Sequence, residues 1–276
     1  MMFPVQQVSI AVLCKDNPLQ LERTLLSLPV GAKSLDVLLE ILVMDASESR
    51  QCEEVSNRFK QKFMPSERGI LHHCYQSTTG IYAAMNEVIQ MAQGDLLAFM
   101  NSGDHYLSDG LTGLVQHWRN CSEAATRPLP AVFAQTWATV PGGIRWLTPS
   151  PLARRMQRWL SVMVPCHQSV LFDIAFARQN PYYKYSLIAD RTVMRKALSD
   201  SPESAYLSKP VCVFLLDGVS SEWPSWLALR HRWSDSQRNS IERSIDVIKF
   251  VLFPLRKMRF RMMRAKAVLW GLICCW

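Results

Sequence analysis

The chain has eight cysteines but no Cys-x-x-Cys pair, which argues against a zinc ribbon or a dithiol redox centre. They are read as reduced core thiols of a cytosolic protein. No unbroken apolar run reaches the ~18 residues that suggest a membrane-spanning helix. The opening stretch MMFPVQQVSIAVLC has no basic region ahead of its apolar part, so it does not read as a signal peptide. No Gly-x-Gly-x-x-Gly follows the first candidate strand. The turn there is Cys14-Lys15-Asp16-Asn17, which disfavours a nicotinamide-dependent α/β enzyme. Internal repeats and low-complexity tracts are absent. Net charge is also absent from most of the chain: residues 1–227 hold 20 basic and 20 acidic side chains. The stretch 228–276 holds 11 Lys and Arg against 3 Asp and Glu, which accounts for the whole +8.

What is present is a globular composition, 49% hydrophobic and 20% charged over 276 residues. Val8 to Cys14 predicts a first strand, and Pro18 opens a helix with Leu21, Leu25 and Leu28 on one face. A second strand over Leu38 to Met44 ends at Asp45. A helix over about 49–63, a strand over 70–75, a helix over 80–93 and a strand over 95–100 follow. This alternation predicts an α/β fold with a doubly wound, mostly parallel sheet flanked by helices. Beyond residue 107 the pattern is less regular. Helices are expected over Leu107–Trp118 and Ser186–Leu198, and strands over 132–140, His167–Phe172 and 211–216.

The most informative stretch is Gly80-Ile81-Tyr82-Ala83-Ala84-Met85-Asn86, followed by Met100-Asn101-Ser102-Gly103-Asp104. It reads as an amphipathic helix, a buried strand, and a polar turn at that strand's carboxyl end. Ligands of open α/β sheets bind at such ends. These elements resemble those of the family 2 glycosyltransferases, in particular a bacterial polysaccharide-building subgroup with Gly-Ile-Tyr-Asp-Ala-Met-Asn and Leu-Asn-Ser-Gly-Asp elements. The resemblance runs from about Val8 to about Ser221.

The resemblance implies a GT-A type fold and transfer of a sugar, with inversion, from a nucleotide diphosphate donor such as a UDP- or GDP-sugar. The acceptor it implies is a growing glycan, lipid-linked in this reading. Residues 1–227 would form the catalytic domain, with a nucleotide-sugar half to about 106 and an acceptor half from about 107. Asp190, in Ile188-Ala189-Asp190-Arg191, is the expected base; a plain alternative is an acid favoured by a helix N-terminus. Asp45 is expected at the nucleoside, against the alternative of a helix cap shared with Ser47. Asn86, Asn101, Asp104 and His167 are expected near the donor or its diphosphate. Asp104 would be the carboxylate for Mg²⁺ or Mn²⁺, although the same four residues suit an ordinary turn. Of His167 and Gln168, His167 is expected to face the site. Gly218 to Ser221 resembles a closing loop of the family and equally suits a plain turn.

Three departures matter. Thr78, Ala83 and Gly103 stand where the family pattern expects carboxylates. A catalytically degenerate partner protein at the membrane is therefore the alternative reading. The tail, 228–276, interleaves basic residues with Phe, Met, Leu and Trp. That pattern suits an amphipathic helical segment on an anionic membrane surface better than nucleic acid. The expected location is cytoplasmic, peripheral to the inner face of the cell membrane.

Overall fold

The computed structural model describes residues 5–30, 35–63, 69–139, 145–149, 165–186 and 189–215, with the single residues 230 and 247. The expected closing loop at 218–221 and almost all of the tail lie outside the described residues.

The first half follows the predicted alternation: β1 (Gln7–Cys14), α1 (Pro18–Leu26), β2 (Leu38–Asp45), α2 (Gln51–Phe63), β3 (Gly69–Tyr75), α3 (Ile81–Met91) and β4 (Leu96–Asn101). These four strands pair in parallel in the order β3-β2-β1-β4. Pro18 stands in the first turn of α1, where its missing N–H costs nothing, and Asn17 accepts a hydrogen bond from the Gln20 N–H at 3.1 Å. Strand period divides the core in two. Val8, Ile10 and Val12 of β1 face one apolar cluster with Leu21 and Leu25 of α1 and Val55 and Phe59 of α2. Ala11 and Leu13 face the other, with Ala84, Met85, Val88 and Ile89 of α3. Both faces of β1 are thus covered, which is why its sequence is apolar almost throughout.

The second half contains β5 (His105–Tyr106), α4 (Gly110–Ala124), β6 (Ala131–Thr139), β7 (Arg145–Thr148), β8 (Val170–Asp173), α5 (Ile174–Gln179), α6 (Ala189–Asp200) and β9 (Tyr206–Leu215). The sheet runs on from β4 through β8, β6 and β9 to β5, with β7 alongside β6. Here β8 is antiparallel to both β4 and β6, and β9 is parallel to β6 but antiparallel to β5. The sheet is therefore mixed: the first half pairs wholly in parallel, and in the second half the β6–β9 pair is parallel while the others are antiparallel.

Several boundaries differ from expectation. The helix expected from Leu107 starts at Gly110, because the Leu107 N–H donates to the Val211 carbonyl at 2.9 Å and holds that residue against β9. The strand expected over His167–Phe172 begins at Val170, since 167–169 form a 3₁₀ turn. β9 is longer than expected and starts at Tyr206.

Gly110 marks the closest approach in the second half. A Cβ there would lie 1.9 Å from the Val211 carbonyl oxygen, which is backbone and cannot swing away. Gly110→Ala is expected to destabilise the fold by about 3 kcal/mol, as overpacking against a rigid neighbour does. Urea unfolding of the variant and the parent checks this; an unchanged midpoint would refute it.

Candidate active site

The parallel strands β1, β2 and β4 end together. Register sets Cys14 beside Asp45 and Leu13 beside Asn101, so the turns after β2 and β4 meet at one edge. Asp45 and the Asn101–Asp104 turn, far apart in sequence, are neighbours by topology.

Asp45 is buried. Its Oδ1 accepts the Ser47 N–H at 2.8 Å, and its Oδ2 lies 3.3 Å from His73 Nε2. His73 Nδ1 is 2.9 Å from Ser56 Oγ. Cys14, Cys52 and Asp45 place their ligand atoms within 4.8 Å of one another. Two sulfurs suit a thiophilic cation; Mg²⁺ and Mn²⁺ prefer oxygen. Burial and the neighbouring Asp45 push the Cys14 thiol well above its usual range. All six cysteines among the described residues are free thiols, as expected.

The Asn101–Asp104 turn is tied to α1. Thr24 Oγ1 donates to the Asp104 carbonyl at 2.7 Å and accepts the Gly103 N–H at 2.9 Å. Gly103 has φ +99°, a region L side chains rarely adopt, and a Cβ there would sit 3.1 Å from Gln20. The carboxylate absent at Gly103 is thus replaced by a backbone conformation that suits glycine. Asp104 is buried, with Oδ1 accepting the Leu215 N–H and Oδ2 accepting Gln168 Nε2, both at 2.8 Å. Burial pushes its carboxyl up to about 7, against the pull of those hydrogen bonds. As a seat for a hard cation this is a poor fit. It offers one carboxylate, already shared between two donors, beside a neutral amide.

His167 and Gln168 divide their work differently from expectation. Both lie in the 3₁₀ turn, so strand alternation does not apply. Gln168 reaches Asp104, and its Oε1 accepts the Cys166 thiol at 2.7 Å. His167 turns inward: its Nε2 is 2.7 Å from Tyr182 Oη, and its ring packs on Phe99 with centroids 4.9 Å apart. Burial lowers His167 to about 4, the Asp190 charge opposing. Its folded value lies below the unfolded 6.5, so the folded state binds fewer protons between about 6.5 and 4. The stability this contributes is present above 6.5 and is lost as pH falls through 4. Between pH 7 and 5 His167→Gln is therefore expected to gain about 2 kcal/mol relative to the parent. Paired urea melts at the two pH values check this; a constant difference would refute it.

Asp190 is half-buried in the first turn of α6. Tyr82 Oη, from α3, donates to its Oδ1 at 2.7 Å. Asn86, one turn further along α3, spends its amide elsewhere. Nδ2 donates to the Tyr182 carbonyl at 2.7 Å and Oδ1 accepts the Tyr182 N–H at 2.8 Å. The side chain expected at the donor is instead a two-sided clamp on the loop ahead of α6. Thr78, where the family pattern expects a carboxylate, donates its N–H to Glu87 Oε1 at 3.0 Å, and the Ser77 N–H reaches Oε2 at 3.1 Å. The sequence alone does not single out Glu87, Tyr82 or Tyr182, and it favours His167 over Gln168 as the side chain facing the site. The position of Tyr82 within the Gly80–Asn86 element was its one available signal.

A mixed sheet of this order, with acidic and amide side chains gathered at the carboxyl ends of its parallel strands, is of the GT-A type. The model of the family described as "Glycosyl transferase family 2" matches residues 9–178, and the chain belongs to that family. Among solved structures it is similar to S. aureus TarS 1-349 in complex with UDP-GlcNAc, with TM-score 0.56 and 13% identity over 90% of this chain and 72% of that one. It is also similar to the mannosyltransferase PcManGT from Pyrobaculum calidifontis in complex with GDP-Man and Mn²⁺. That match has TM-score 0.55 and 14% identity over 96% of this chain and 75% of that one. Against the longer TarS structure it spans 43% of that chain, with TM-score 0.56 and 14% identity. These neighbours share the GT-A fold. No curated protein matches the chain. By its family the chain is a glycosyltransferase. Among the described residues no helix is long and apolar enough to cross a membrane.

Proposed function

We propose that the protein is an inverting glycosyltransferase that moves a sugar from a nucleotide diphosphate donor onto a growing, lipid-linked glycan in cell-surface polysaccharide synthesis. In the transfer, the acceptor hydroxyl attacks the anomeric carbon as the bond from that carbon to the diphosphate breaks. Asp190 takes the hydroxyl proton, and the nucleoside diphosphate leaves with the bonding electrons. Asp45 sits at the nucleoside end, and Asn101 and Asp104 form the turn beneath the diphosphate. Asp104, the residue expected to meet Mg²⁺ or Mn²⁺, is the one carboxylate of that turn and already accepts from Gln168 and Leu215, so these residues alone do not make a hard-cation site.

The observation that carries this reading is the link between the two acidic residues. The 166–168 turn bonds Asp104 through Gln168, while His167 of the same turn joins Tyr182 and feels the charge of Asp190. Asp104 and Asp190, far apart in sequence, therefore share one frame. The basic tail, as a membrane-binding segment, would bring the site to a lipid-linked acceptor at the cytoplasmic membrane face.

A second reading, a degenerate partner of an active transferase, draws on the absence of carboxylates at Thr78, Ala83 and Gly103 and on the engaged state of Asp104. Thermal stabilisation and hydrolysis screens against UDP-, GDP- and dTDP-sugars, with Mn²⁺, Mg²⁺ or EDTA, separate the two. Stabilisation and turnover with one nucleotide class are expected. A folded protein that responds to none would leave the degenerate reading.

A further inference from the structure

The Gly80–Asn86 element resembles a donor-side motif, yet its two polar side chains, Tyr82 and Asn86, both reach away to the segment carrying Asp190. Tyr82 Oη donates to Asp190 Oδ1 at 2.7 Å. The Tyr82 ring stacks on Tyr182, with centroids 5.8 Å apart and planes 17° from parallel. Tyr182 is fixed at its backbone by Asn86 and at its hydroxyl by His167. The His167 ring in turn packs on Phe99 of β4, whose side chain is buried. An unbroken set of packed rings and hydrogen bonds therefore runs from the central sheet to one oxygen of Asp190.

We propose that Tyr82 is a positioning residue for Asp190: it occupies Oδ1, fixes the carboxylate plane, and leaves Oδ2 as the oxygen that accepts the proton. The inference rests on Asp190 being the base of the proposed transfer. Tyr82 suits the task because its hydroxyl stays protonated: burial first, then the charge of Asp190, pushes it well above the usual tyrosine range. It remains a donor and does not compete as a base. A hydrogen bond donated to a carboxylate favours its charged form, and removing the Tyr82 hydroxyl removes that donor. The other groups that act on this cluster are His167 and Cys166 of the 166–168 turn, Tyr182 of the loop, and Arg191 of α6.

The test is Tyr82→Phe, which keeps the ring and removes only the donor. Transfer kinetics should show kcat lowered roughly 10- to 100-fold, the range that misplacing a catalytic group produces, with the donor KM unchanged. The acidic limb of the pH–rate profile should move to higher pH. In parallel, ¹³C NMR of carboxyl-labelled protein, with the Asp190 signal assigned by its loss in Asp190→Asn, should show the Asp190 titration moving the same way. A variant that merely loses thermal stability, with the limb and the Asp190 titration unmoved, overturns the proposal. If the parent turns over no nucleotide sugar, the transferase reading fails, and the carboxyl titration alone decides whether Tyr82 sets the state of Asp190.

Discussion

Asp190→Asn is expected to lower sugar transfer by about 10²- to 10⁴-fold, the usual contribution of a general base, while leaving donor affinity unchanged. The substitution is unusually clean here. Asn offers a carbonyl oxygen where Asp190 Oδ1 accepts from Tyr82 Oη, so the contact at 2.7 Å can persist. What is lost is the ability to take a proton at the other oxygen. The residue is half-buried in the first helical turn, and its loss of charge removes at most a modest helix-end stabilisation. A fall in kcat with no change in unfolding midpoint is thus the signature of a base. Donor affinity is measured by calorimetry and transfer by release of nucleoside diphosphate in the presence of acceptor. Parent-like turnover would remove Asp190 from the mechanism and shift attention to the remaining acids of the site.

The parallel half of the fold was legible because its strands are buried on both faces. Such strands read as unbroken apolar runs, and β1, β2 and β4 lie within a residue or two of expectation. The second half was less legible because its strands are set by partners distant in sequence. β5 is two residues long and exists through pairing with β9 more than a hundred positions away. The 3₁₀ turn at 167–169 reads as strand because the apolar run Val170 to Phe172 follows it directly. Its start is governed by the Ser169 N–H donating to the Cys166 carbonyl at 3.0 Å, which hydropathy does not reveal. The same limit applies at the site. Motif order points to Asp45, Asp104 and Asp190: Asp45 ends β2, Asp104 closes the turn after β4, and Asp190 stands in the first turn of α6. Motif order said nothing of what each side chain bonds to. Asn86 and His167 face inward because Tyr182 lies between them, and Tyr182 belongs to no recognisable element. Gln168 takes the contact with Asp104 because a 3₁₀ turn rotates neighbouring side chains by about a third of a turn, not to opposite sides.

Asp104→Ala is expected to destabilise the fold by about 4 kcal/mol, and how it does so separates two roles for this acid. The substitution strips the acceptor from the Leu215 N–H and from buried Gln168 Nε2 at once, and each orphaned donor costs about 1–3 kcal/mol. Asp104→Asn should cost less. Its carbonyl can still receive Leu215, but its amide meets the amide of Gln168, which must flip and release the Cys166 thiol. The pH dependence gives an independent check. The folded value of about 7 lies above the unfolded 3.8, so the folded state holds the extra proton between them. Stability from this group is full below about 4 and is lost as pH rises through 7, a total of about 4 kcal/mol. This slope opposes that of His167, so the parent's curve is flattened and only variants expose either component. Asp104→Asn should gain on the parent as pH rises from 5 to 8; a constant difference would contradict the burial argument. Mn²⁺ then distinguishes a strut from a ligand. If Asp104 is chiefly a strut joining the β4 turn to β9, added Mn²⁺ and nucleoside diphosphate should raise the midpoints of parent and Asp104→Asn equally. Stabilisation confined to the parent would mean that the carboxylate gives up Gln168 or Leu215 to bind the cation, and the apo hydrogen bonds would then describe a site waiting to rearrange.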